Sequence, residues 1–164
     1  MNAEPAAGIS LRPAEPQDRG LLFAWSNDPE TRRGSFRTAP IELETHEAWF
    51  AEALDGARHL FVAMSGKTGP VGLLRLDPVA GEPETAEVGI TVAPERRREG
   101  LASKMLRAGR QTASELGYSL LVARIRADNP VSRRVFEEVG FQLAAEQMIQ
   151  GTRALCYQWS VSED

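Results

Sequence analysis

Apolar positions along this chain keep two different periods, and the switches between them outline its elements. "ISLRP" (9–13) reads as a short first strand. Pro16 stands where a helix can start, with Leu21, Leu22 and Trp25 along one side. "NDPE" (27–30) reads as a break, because proline disfavours helical geometry in the residue before it. A second helix is predicted from about Glu42 to Asp55, with Trp49, Phe50 and Ala53 at helical spacing and Gly56 as its stop. Then the pattern changes. "HLFVAMS" (59–65) and "PVGLLRLD" (70–77) form a predicted hairpin, and "TAEVGITVAP" (85–94) a further strand. The longest helix runs from Gly100 to Leu116, followed by the strand "SLLVARIRA" (119–127). In "NPVSRRVFEEVG" (129–140), Asn129 caps a helix, Pro130 takes its first position and Gly140 follows its last turn. "FQLAAEQMI" (141–149) and "RALCYQWSV" (153–161) close the chain as strands. The order β-α-α-β-β-β-α-β-α-β-β predicts a mixed α/β (α+β) domain of about seven strands and four helices.

Composition narrows the class. A chain of 164 residues supports one self-sufficient core. Residues 1–8 read as a flexible tail before a single domain at 9–162. The net charge of -4, from 19 basic and 23 acidic residues, argues against a general nucleic-acid binder. One cysteine, Cys156, permits no intrachain disulfide, and with two histidines the expectation is that no metal is bound. "MNAEPAAG" does not read as a signal peptide, and no apolar run reaches the roughly 18 residues of a membrane span. These features predict a cytoplasmic protein without a membrane partner, a monomer or homodimer.

Against that acidic background, "APERRREGLASKML" (93–106) places three arginines at the start of a helix. A strand turning directly into a helix presents unpaired N–H groups, and the helix dipole adds positive potential. Such a terminus suits phosphate. Gly100 and Ala102 let a ligand approach the backbone, and Arg96, Arg97 and Arg98 stand near enough to contribute charge. A solvated arginine cluster explains the same residues taken alone.

Val92, Pro94, Arg97, Gly100 and Ala102 match the acetyl-CoA signature of the GNAT acetyltransferases, Arg/Gln-x-x-Gly-x-Gly/Ala after a strand. "NPVSRRVFEEVGF" resembles that family's second signature, and the element order from Ile9 to Val161 is similar too. The resemblance implies that acetyl-CoA is bound, its pyrophosphate held by Arg97, Arg98, Glu99, Gly100, Leu101 and Ala102. Asn129, Ser132 and Phe136 would complete the cofactor site. It also implies a splayed strand pair, "TAEVGITVAP" and "SLLVARIRA", with Val92 the expected donor near the thioester carbonyl. Two departures stand out. Many relatives have glycine at Arg98, and many have a proton-donating tyrosine at Phe136.

The segment "WSNDPETRRGSFRTAPIELETHEAWF" (25–50) resembles the GNAT enzymes that acetylate UDP-4-amino-4,6-dideoxy sugars and, more loosely, the acetylases of ribosomal-protein N-termini. The first resemblance implies a nucleotide-sugar acceptor, with Arg32 or Arg33 on its phosphates and Trp49 or Phe36 against the uracil or the apolar 6-deoxy carbon. Direct transfer to an amine needs a base. Glu87 is the first candidate, sharing a strand face with Gly89 and Thr91, and His46 is the second, as base or substrate-orienting group. Tyr157 and Cys156 are the alternatives for an acid, on opposite faces of the last strand. The remaining readings are a peptide N-terminus or polyamine as acceptor, and a module that binds acetyl-CoA without turnover.

Overall fold

The structure is a computed structural model that describes residues 8–66 and 68–162, so the expected tail lies, Gly8 apart, outside the described residues. Seven strands form one sheet: β1 (Ile9–Pro13), β2 (His59–Ser65), β3 (Gly69–Val79), β4 (Glu82–Val92), β5 (Leu120–Arg126), β6 (Gln142–Ile149) and β7 (Thr152–Ser160). Their spatial order is β1-β2-β3-β4-β5-β7-β6. Every neighbouring pair is antiparallel except β4 and β5. Helices are α1 (Arg19–Ser26), α2 (Pro29–Arg33), α3 (Leu43–Leu54), α4 (Leu101–Glu115) and α5 (Pro130–Val139).

The fifth helix, α2, begins inside the segment read as a break. Asp28 accepts from the backbone N–H groups of Glu30 and Thr31, and Pro29 takes the first helical position. The same residues that stop α1 therefore start a new helix. Pro16–Asp18 forms a single 3-10 turn ahead of α1. Asn129 caps α5 as expected, its Oδ1 accepting from Ser132 N–H at 3.2 Å.

The two sheet faces are covered differently. Side chains alternate along each strand. Ala86 and Val88 of β4 face the larger core with Leu74, Leu76, Leu121, Ala123 and Tyr157, against Leu106 of α4 and Phe136 of α5. Helix α4 lies close to the sheet because glycines leave room for it: a β-carbon at Gly72 would meet Met105 Cε at 2.8 Å, and one at Gly109 would meet Leu74 Cδ1 at 2.6 Å. On the other face, Leu60, Val62 and Leu73 pack under α1 and α3 through Leu22, Trp25, Phe50 and Ala53. That cover serves β2 and the start of β3. Farther along, the same face turns polar, and there the candidate site begins.

Candidate functional site

β4 and β5 share only three rungs, Thr85 with Leu120, Ala86 with Leu121 and Glu87 with Val122. Beyond them each strand keeps only its outer neighbour. β4 stays on β3 as far as Val92 opposite Gly72, and β5 stays on β7 as far as Arg126 opposite Ala154. The two strands splay, and Val88–Val92 present a backbone edge that β5 does not satisfy. This is the splayed pair expected from the sequence.

The open edge of β4 leads to the start of α4. Arg97 is extended, Arg98 has φ 66 and Gly100 has φ 73. Arg98 thus holds the left-handed geometry that glycine adopts without penalty. Gly100 is the N-cap of a 15-residue helix and supplies no side-chain cap. The opening amides of α4 therefore face outward without a side-chain acceptor, in the field of the helix dipole. An anion fits there, as the pyrophosphate of coenzyme A requires.

The arginine side chains correct the expectation. Arg96 holds both oxygens of Glu99 at 2.9 Å and also contacts Thr68. Arg97 reaches back to α2, where it binds Asp28, Glu30 at 2.8 Å and Thr31 at 3.1 Å. The hydrogen bond from the Arg97 guanidinium holds the Asp28 carboxyl below its ordinary range. Both guanidiniums are occupied by carboxylates, and the loop offers its backbone instead. Arg98 is exposed and has no ion pair among the described residues. Leu101 is buried beneath the loop with Val71 and Met105, so it shapes the turn from below, and Ala102 is half-buried. Val92 ends β4 half-buried.

On the β5 side, Arg126 donates to Ser35 O at 3.1 Å, and Asn129 Nδ2 lies 3.0 Å from where a β-carbon at Gly34 would stand. Residues 28–35 therefore form a strap fastened to both arms of the splay, by Arg97 on one side and by Arg126 on the other. Ser132 is half-buried at the start of α5. Phe136 is buried edge-on to Phe141, with centroids 5.0 Å apart, so it serves the core.

Glu87 sits at the last shared rung. Arg124 donates to both its oxygens, at 2.9 and 2.7 Å. Its neighbour across β3 is Asp77, which pairs with Arg75. Arg75, Asp77, Glu87, Gly89, Arg124 and Cys156 lie on the same face of adjacent strands. They make a charged strip with two arginines and two carboxylates. Sequence reading found Glu87 and Gly89 but missed Arg75, Asp77 and Arg124. The available signal was the alternation of "LRLD", which sets Arg75 and Asp77 on one face.

His46 and Tyr157 are placed elsewhere. His46 is 3% exposed among Phe23, Trp49 and Phe50, and neither ring nitrogen has a hydrogen-bond partner among the described residues. Burial lowers its pKa and keeps the ring neutral. That geometry gives it no path to a substrate proton, so the expected base and orienting roles are not supported. Tyr157 faces the core, and its hydroxyl donates to Glu137 at 2.6 Å. Burial, then that bond, pushes the phenol's pKa up. Strand alternation sends Tyr157 away from the strip and brings Cys156 onto it, opposite Arg124. Arg32, expected on phosphate, is tied to the carbonyls of Ser26 and Arg37 at 2.8 Å and to Ser35 at 3.1 Å. Trp49 is half-buried, under Arg58 at 5.4 Å from its ring centroid.

A family model described as an acetyltransferase (GNAT) domain matches residues 9–142. The chain is 29% identical over 137 residues to YwnH of Bacillus subtilis (strain 168), named for phosphinothricin acetyltransfer, with 81% of this chain and 83% of the relative covered. It is 23% identical over 130 residues to the L-methionine sulfoximine/L-methionine sulfone acetyltransferase of a Pseudomonas aeruginosa strain, covering 77% of this chain and 76% of the relative. The crystal structure of spermidine N-acetyltransferase from Vibrio cholerae with CoA and spermine has the same fold, with a TM-score of 0.84 at 20% identity over 96% of this chain and 98% of that one.

Proposed function

Because the chain belongs to the GNAT acetyltransferase family and is an acetyl-CoA-dependent N-acetyltransferase, we propose that it moves acetyl directly to the primary amine of a small acceptor lying on the charged strip. The observation that carries this reading is the splay itself. It opens beside Glu87 and leads along an unsatisfied β4 edge to the uncapped start of α4.

Acetyl-CoA supplies an activated thioester. The chain supplies position and proton transfer. The opening amides of α4 hold the pyrophosphate, the free edge of Val88–Val92 aligns the pantetheine, and Val92 N–H meets the thioester carbonyl. Asn129 and Ser132 line the other arm. The acceptor ammonium loses one proton to a carboxylate of the strip, Glu87 first. The amine then forms the C–N bond, the C–S bond breaks, and the second proton goes to the departing thiolate. Phe136 has no proton to give and Tyr157 is committed to Glu137, so no protein acid is assigned. A thiolate is a good enough leaving group without one.

One relative is named for L-methionine derivatives, and these fit a small acceptor. The second reading is the 4-amino group of a UDP-4-amino-4,6-dideoxy sugar. Arg33 favours it, being exposed on α2 with no ion pair among the described residues. The test is thiol release from acetyl-CoA with amino acids, spermidine, a peptide N-terminus and the UDP-amino sugar, each product identified by mass spectrometry. An N-acetyl product from at least one amine is expected. Inhibition by UDP would select the sugar nucleotide. No product from any class would overturn the proposal.

A further inference from the structure

We infer that the acceptor is a zwitterion, an amine carrying its own carboxylate or a comparable anion, and that Arg75, seated in the space left by Gly89, reads that anion. The inference rests on the acetyl-transfer reading above and names the substrate class of that same site.

Gly89 is two residues past Glu87 on the splayed part of β4, directly opposite Arg75. A β-carbon there would stand 2.9 Å from Arg75 Cζ and 3.0 Å from Nε, and closer still to Nη2. Arg75 therefore lies flat on the strand where any other residue would project. Its side chain stays 36% exposed, and among the described residues its ion-pair partner is Asp77. A guanidinium fixed in this way is suited to a planar carboxylate or similar anion.

The charges around it are balanced. Arg75 pairs with Asp77 and Arg124 with Glu87, and the two carboxylates are register neighbours across β3 and β4. A polycation would find two guanidiniums beside the two acids. A zwitterion finds a partner for each of its charges: its anion takes Arg75, and its ammonium takes the carboxylates. Asp77 Oδ1 is buried without a hydrogen-bond partner among the described residues, so one acceptor atom already waits for an N–H donor. The exchange replaces ion pairs by ion pairs and leaves no buried charge alone. It also loosens the carboxylates from their arginines. The anion of the substrate thus releases the base that deprotonates its amine, and an amine without an anion leaves Asp77 and Glu87 in their resting pairs.

The test compares L-α-amino acids with their own carboxamides as acceptors, using the wild type, Arg75→Gln and Gly89→Ser. Acetyl-CoA affinity is measured calorimetrically in each. The wild type should prefer the best acid over its amide by at least about 100-fold in kcat/KM, as a site built for a polar group does when that group is missing. Both substitutions should collapse the ratio toward one by slowing the acid, and Arg75→Gln, which lies outside the cofactor edge, should leave acetyl-CoA affinity unchanged. Arg75→Lys should keep part of the preference. Equal use of acid and amide by the wild type would overturn the inference, as would spermidine as the best acceptor or an undiminished preference in Arg75→Gln. Turnover of spermidine or a peptide without acid preference would leave the acetyl-transfer reading standing. Failure of every amine would remove both.

Discussion

One strand, β4, has two unlike sides. Ala86 and Val88 point into a closed apolar core, whereas Glu87 and Gly89 point onto a partly open charged strip. The first side holds the molecule together through α4 and α5. The second is left uncovered because α1 and α3 stop short of it, and its side chains are paired by charge instead of packed. A single step along the chain separates stability from chemistry, so neighbouring substitutions should affect different measurements.

The largest effect is expected from Glu87→Gln. As the proposed base, Glu87 should take kcat/KM down with it by about 100- to 10,000-fold. Its ion pair is half-exposed, so the melting temperature should change little. An unchanged rate and pH profile would remove Glu87 from the base role and leave Asp77. Leu121→Ala, at a fully buried position under α4, should do the reverse. Denaturant unfolding should show a loss of about 2–5 kcal/mol, while the rate at low temperature persists. If the rate falls in step with stability at both positions, the two sides are not independent.

A smaller effect concerns His46. Its pKa is lowered by burial, so the folded state binds fewer protons than the unfolded state once the pH drops below the ordinary value of 6.5. Stability should therefore fall with acidification from that point, by at most about 1.4 kcal/mol per pH unit, until the folded ring itself titrates. His46→Phe should flatten this part of the stability–pH curve without shifting the pH dependence of the rate. The smallest effect is expected from Arg98→Gly. Relief of the left-handed backbone is worth about 1 kcal/mol, offset in part by the freer unfolded chain. Calorimetry should find acetyl-CoA binding retained, since the amide remains.

Local signals made much of this fold legible. Asn129, Pro130 and Gly140 bracket α5 by rules that act within a turn, and strand alternation placed Glu87 and Gly89 on one side. Partners distant in sequence were not legible. Arg97 meets Asp28 from 69 residues away, and Glu87 meets Arg124 across 37. Arginines beside a phosphate-binding turn read as phosphate ligands until the fold brings carboxylates to them. His46 was misread for a similar reason: its ordinary pKa suits catalysis, but α3 turns it into the aromatic cluster.

The strap at residues 28–35 has a protective consequence. Val88–Val92, "VGITV", is an uncharged, β-prone run whose edge is unpaired within the splay, the kind of template on which extended chains stack. Most sheets hide such a run in their middle or blunt it with charge. Here function keeps it open for a ligand, and the strap, locked by Arg97 and Arg126, stands guard at the opening. Loosening that lock would expose this run as a template for aggregation, and saturating coenzyme A would mask it again.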